Sequence, residues 1–88
     1  MNETASIKIL VVDDHFIVRI GLVALINTEP GLKVVGEADN GAQAVTLFEK
    51  LKPDLVLMDS RMPGKSGHEA TQEIRRLVAT ARVLMLSA

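Results

Sequence analysis

The chain has 88 residues, 48% of them apolar, a formal net charge of −1 and no cysteine, which fits one soluble domain or part of one, near the small end for an α/β core. Charges of both signs are spread along it, and two phenylalanines are its only aromatic residues, so neither the basic footprint nor the stacking surface of a nucleic-acid binder is present. Disulfides and thiolate metal sites are excluded, Met1 to Ser6 lacks the layout of a secretion signal, and no apolar run approaches membrane-spanning length; no membrane partner and a cytoplasmic location are expected.

Ile7 to Val12 is a β-branched and leucine run broken only by Lys8 and stopped by Asp13 and Asp14, which predicts the first strand. From His15 to about Asn27, the residues Phe16, Ile17, Ile20, Val23, Ala24 and Ile26 fall roughly at helical spacing until Glu29-Pro30-Gly31 ends the pattern, predicting the first helix. Leu32 to Ala38 reads as a second strand, and Asp39-Asn40-Gly41 offers turn and cap chemistry. A helix from about Ala42 to Leu51 follows, with Val45, Phe48 and Leu51 on one face and Pro53 closing it. Four apolar residues between Asp54 and Asp59 predict a strand buried on both faces, and Met62-Pro63-Gly64 and Ser66-Gly67 predict a sharply turning loop. Glu69 to Ala79 is expected to turn Ala70, Ile74, Leu77 and Val78 inward, and Arg82 to Leu86 is expected to form a fourth strand ending at Ser87 and Ala88.

The order βαβαβαβ implies a parallel sheet with helices on both faces and right-handed crossovers, in a flavodoxin-like strand order. Ligands bind at the carboxyl ends of such strands. If strands one and three are neighbours, Asp13, Asp14 and Asp59 gather at one rim, with Ser87 close by. Two carboxylates about 5 Å apart repel by roughly 3 kcal/mol at an effective dielectric of 20, or about two pK units. Three of them need a retained proton or a hard cation, and an all-oxygen set suits Mg²⁺. An aspartate held by such a cation and keeping one free oxygen can act as a nucleophile toward phosphorus, and a hydroxyl at Ser87 would then hydrogen-bond a phosphoryl oxygen.

Asp13-Asp14 after strand one, Asp59 followed by Arg61-Met62-Pro63 and Gly67, and Ser87-Ala88 after strand four together resemble a response-regulator receiver domain of two-component signalling. Asp13-Asp14-His15, Arg19, Gly21, Leu22, Val35-Gly36-Glu37-Ala38 and Gly41 look like the NarL/FixJ/LuxR-type subclass, whose members usually carry a C-terminal helix-turn-helix that binds promoters. The resemblance implies a CheY-like, doubly wound parallel sheet, here truncated to βαβαβαβ, with residues 1–88 forming the receiver. It implies that Asp59 is the phosphoacceptor for a sensor histidine kinase, and that Asp14 and Asp59 ligate Mg²⁺ directly. Asp13 would act through water, and the backbone carbonyl of Arg61 would complete the protein ligands. Ser87 would be the switch hydroxyl, with the Ala88 backbone beside it. A receiver of this kind is a signalling domain with at most self-catalysed phosphotransfer and autodephosphorylation.

Receivers normally continue with a helix, a fifth strand and a final helix, a segment that brings a lysine and an aromatic switch residue; the chain stops at Ala88. An intact metal site with impaired phosphotransfer is therefore expected, with Lys65 not replacing the lysine. The run Val83 to Leu86 would form an open apolar edge through which the chain pairs as a homodimer or exchanges segments. Promoter DNA would be reached only through a domain absent from this chain. Asp13 and Asp14 also suit a helix cap, while His15 and His68 read as surface residues and Arg75-Arg76 as a solvated face. A haloacid-dehalogenase-like phosphohydrolase needs an aspartate where Arg61 stands, and a flavin or nucleotide binder needs glycines where two carboxylates stand. The alternative with most weight is a receiver remnant serving only as an interaction module.

Overall fold

The computed structural model describes residues 6–86. Strands β1 (Ile7–Val12), β2 (Leu32–Ala38), β3 (Leu55–Asp59) and β4 (Val83–Leu86) alternate with helices α1 (Phe16–Asn27), α2 (Gly41–Leu51) and α3 (Gly67–Leu77). Every strand pair is parallel, and the order across the sheet is β2-β1-β3-β4. This is the flavodoxin-like order, in which the chain reverses its direction of travel across the sheet at β1 and β3.

Strand alternation builds two cores. Leu10, Val12, Val56 and Met58 face one way and pack against Ala44 and Phe48 of α2 and Ala70 and Ile74 of α3. Ile9, Val11 and Leu57 face the other way and meet Leu22, Val23 and Ile26 of α1. Both central strands are thus buried on both faces, as their unbroken apolar runs require. Fully burying each such side chain contributes about 1.5–3 kcal/mol, so the β1–β3 pair is the main source of cohesion.

Two helix faces differ from the sequence expectation. In α1, Phe16, Ile17, Ile20 and Leu25 are exposed, Ile17 by 78%; the inward row is Arg19, Leu22, Val23 and Ile26. The helix is apolar around most of its circumference, so spacing alone does not select the buried face. α3 begins at Gly67, two residues earlier than expected, and ends at Leu77 with Val78 already extended. Its buried residues are Gly67, Ala70, Thr71 and Ile74, leaving Leu77 48% and Val78 44% exposed. The early start comes from a capping box, in which Ser66 accepts from the Glu69 amide and Glu69 accepts from the Ser66 amide. α2 carries a simpler cap, the Asn40 side chain accepting from the Gln43 amide at 2.8 Å.

Candidate functional site

The register sets the site. Val12 of β1 lies opposite Met58 of β3, so the residues that follow them, Asp13 and Asp59, leave the sheet at the same rim. Asp14 and His15 complete the turn into α1. One ligand atom from each of Asp13, Asp14, His15 and Asp59 lies within 4.8 Å of all the others.

Each carboxylate is held differently. Asp13 is buried, its amide donates to the Ala38 carbonyl at 3.0 Å, and its Oδ1 accepts from the His15 amide at 2.8 Å. His15 is the N-cap of α1 and makes no side-chain cap bond; Asp13 holds the residue before the first turn, and neither aspartate caps the helix as expected. Asp59 is 8% exposed, and its Oδ1 accepts from the Arg61 amide at 3.2 Å. Asp59 Oδ2 and Asp14 Oδ1 are shut off from solvent and have no hydrogen-bond partner.

Burial is the main cause that pushes the Asp59 carboxyl above the ordinary carboxylate range; the Arg61 amide opposes this and the Asp13 charge adds to it. The His15 imidazole is raised, chiefly by its 2.8 Å hydrogen bond to Asp13 and then by the charge of Asp14. Its Nδ1 stands 3.2 Å from Asp14 Oδ1, close enough for charge attraction but not aligned for a hydrogen bond, and 3.6 Å from Asp59 Oδ2. The two orphaned oxygens and the oxygen-rich donor set fit a hard divalent cation, which would replace the missing partners.

The neighbourhood is braced from both sides. Arg19 Nη1 donates to the Asp13 carbonyl at 2.7 Å, its Nε donates to Glu37 at 3.1 Å, and its guanidinium lies 5.6 Å from the centre of the Phe16 ring. On the β3 side, the Gly67 amide donates to the Ser60 carbonyl at 3.2 Å. A Cβ at Gly67 would lie 2.1 Å from the Asp59 carbonyl oxygen, so this glycine is what lets α3 start against the strand end. The Lys65 ammonium pairs with Glu73, which agrees with its not serving Asp59.

Of the residues singled out from the sequence, Asp13, Asp14 and Asp59 converge, and Arg61 joins through its amide. Ser87 and Ala88 lie outside the described residues. His68 is exposed, as are Arg75 and Arg76. His15 is a surface residue, as expected, with 65% of its side chain exposed, and its inner edge faces three carboxylates. Arg19 and Glu37 entered only as parts of a resemblance, and nothing in their spacing marks them as a brace.

The model of the response regulator receiver domain matches residues 9–88. The transcriptional regulatory protein LiaR of Bacillus subtilis is 41% identical over 81 residues, covering 92% of this chain and 38% of the relative. Response regulator GacA of Pseudomonas aeruginosa is 46% identical over 81 residues, with the same coverages of 92% and 38%. Among solved structures, a LuxR-family two-component response regulator from Aurantimonas superposes with a TM-score of 0.90 at 42% identity, covering 94% of this chain and 59% of the other. The response regulator domain of Thermotoga maritima CheB gives a TM-score of 0.89 at 43% identity, with coverages of 93% and 60%. The chain thus spans about two-fifths of the length of the curated relatives it matches.

Proposed function

The chain belongs to the response regulator receiver domain family, and from that premise we propose that Asp59 accepts a phosphoryl group from a sensor histidine kinase while the acidic site holds Mg²⁺. A receiver domain is a signalling module, and its chemistry is confined to its own phosphorylation. In the transfer, a carboxylate oxygen of Asp59 attacks phosphorus, the phosphorus–nitrogen bond of the donor phosphohistidine breaks, and the departing imidazole keeps the electron pair and takes up a proton. A bound Mg²⁺ supplies positive charge against the repulsion between carboxylate and phosphoryl oxygens. Asp14 and Asp59 would hold it directly, Asp13 through water, and the Arg61 carbonyl would complete the protein ligands. Ser87 and the Ala88 backbone serve the phosphoryl group as the switch.

The observation that carries this reading is the pair of buried, unpartnered oxygens, Asp59 Oδ2 and Asp14 Oδ1, brought to one rim from separate stretches of the chain. Such atoms cost about 1–3 kcal/mol each unless something satisfies them. A purely interacting remnant has no use for that arrangement and is not favoured. With relatives that include a transcriptional regulatory protein, the receiver's output is transcription through a DNA-binding domain outside residues 1–88, in the cytoplasm.

The test is intact-mass measurement after incubation with Mg²⁺ and a small-molecule phosphodonor. The expected result is a single labile phosphoryl adduct on the parent chain and none on Asp59→Asn. An unmodified parent, or an adduct that persists in the variant, removes Asp59 as the acceptor.

A further inference from the structure

Arg19 belongs to α1, yet both hydrogen bonds of its side chain leave the helix. We propose that Arg19 is a positioning residue of the acceptor site: its guanidinium locks the Asp13–Asp14 peptide against β2 and so presents the Asp14 carboxylate to Asp59. The inference rests on the phosphoacceptor reading and deepens it.

Three features carry it. Side chains of a helix lean toward its N-terminus, so an arginine one turn into α1, whose amide donates to the His15 carbonyl, reaches back to the turn before the helix. There Nη1 donates to the Asp13 carbonyl at 2.7 Å. That carbonyl shares one planar peptide group with the Asp14 nitrogen, so holding it sets the plane from which Asp14 departs. Asp14 Oδ1 is buried without a hydrogen-bond partner, and the direction of this carboxylate is therefore set by its backbone. The far end of the brace is fixed as well. Glu37 lies opposite Val11 in the β1–β2 register and shares its face, the one covered by α1, so it meets Arg19 Nε at 3.1 Å. Finally, the Arg19 side chain is only 14% exposed. A guanidinium withdrawn from water costs free energy unless its donors are bonded, and these are committed to the turn and to β2.

Among the described residues the one ion pair of Arg19 is with Glu37, so it acts on the acidic rim through the peptide group. A flat guanidinium serves two acceptors at a fixed angle, which an ammonium does not. Without the brace the Asp13–Asp14 peptide is free to rotate, Asp14 faces Asp59 for less of the time, and a cation entering the site has to order the turn itself.

The experiment compares the 88-residue parent with Arg19→Ala, Arg19→Lys, Glu37→Ala and a control, Leu22→Ala, which trims the inner face of α1 away from the turn. Amide hydrogen exchange is measured in chelator. Separately, the Mg²⁺ concentration for half-maximal phosphorylation of Asp59 by acetyl phosphate is read by intact mass. In Arg19→Ala, exchange at the Asp13 and His15 amides is expected to rise at least about tenfold more than at the Leu10 and Val12 amides, the mark of a local opening. The Mg²⁺ requirement is expected to rise by about ten- to a hundredfold, the loss seen when the outer support of a metal site is removed, with the rate at saturating Mg²⁺ kept within about threefold. Arg19→Lys keeps the charge and loses the fork, so it should behave as Arg19→Ala does; Glu37→Ala should fall between that variant and the parent. Leu22→Ala should speed all of these amides alike and leave the Mg²⁺ requirement as in the parent. Equal acceleration of turn and strand amides in Arg19→Ala, an unchanged Mg²⁺ requirement, or full rescue by lysine overturns the proposal, the last because charge alone would then suffice. If Arg19→Ala does not fold, Arg19→Lys and Glu37→Ala carry the same comparisons, and parental behaviour in both overturns it. A parent that takes no adduct on Asp59 overturns the phosphoacceptor reading and this inference with it, whereas a phosphorylated parent whose Mg²⁺ requirement ignores Arg19 removes the inference alone.

Discussion

Asp59 sits in a setting that resists ionisation. Its folded pKa lies above the ordinary 3.8 because burial and the Asp13 charge disfavour the anion. A carboxylate raised by folding binds its proton more tightly in the native state, so the stability it contributes is full below the ordinary value and declines as pH rises through the folded value. His15, raised from 6.5 by its carboxylate neighbours, follows the same sign from a higher window: its contribution is full below 6.5 and declines as pH rises through the folded value. In chelator-treated buffer, Asp59→Asn is therefore expected to be more stable than the parent near neutrality. The expected gain is about 1 kcal/mol, or roughly 4–8 °C in thermal midpoint for a domain of this size. The gap should close as pH falls toward 4 and shrink on adding Mg²⁺ to the parent; a gap constant from pH 4 to 7 would contradict the burial argument. Asp59 was legible in the sequence because a carboxylate ending a buried strand is costly. The direction of the His15 ring was not, since an exposed histidine beside two aspartates reads the same whether its ring turns inward or outward.

The carboxylate is positioned by where its supporting elements begin and end. α3 starts at Gly67 only because that residue presents no side chain to the Asp59 carbonyl. Gly67→Ala is expected to destabilise the chain by roughly 1–3 kcal/mol through overpacking and to slow formation of the Asp59 adduct. Gly21, inside α1, has nothing within 4 Å of where a Cβ would sit, so Gly21→Ala should instead stabilise by about 0.5–1 kcal/mol. Urea midpoints for the two variants should move in opposite directions; a shared direction would mean the close approach at Gly67 is not limiting. The start of α3 is readable, since Ser66-Gly67-His68-Glu69 has the spacing of a capping box, which places the helix start two residues ahead of its apolar pattern. The inward face of α1 was not readable, because a helix apolar on nearly all sides presents several equivalent faces until a sheet chooses one.

Over the whole molecule, the described sheet has β4 at one edge, with Leu84 exposed and Val83, Met85 and Leu86 half-buried. An apolar edge of unpaired backbone groups favours pairing with another chain. Sedimentation of the 88-residue chain is expected to show concentration-dependent association that Leu84→Lys reduces by about tenfold or more, the effect of charge on an edge strand; a dilute compact monomer in both would exclude this edge. The sequence by itself determined the alternation of strands and helices, the burial of the two central strands and the candidacy of three aspartates, because apolar periodicity and the cost of a carboxylate at a buried strand end are local properties. Only the tertiary structure decided that β1 and β3 lie side by side with Val12 opposite Met58, and with it the distances among Asp13, Asp14, His15 and Asp59. Such distances depend on register between strands more than forty residues apart, which no stretch of either strand contains alone.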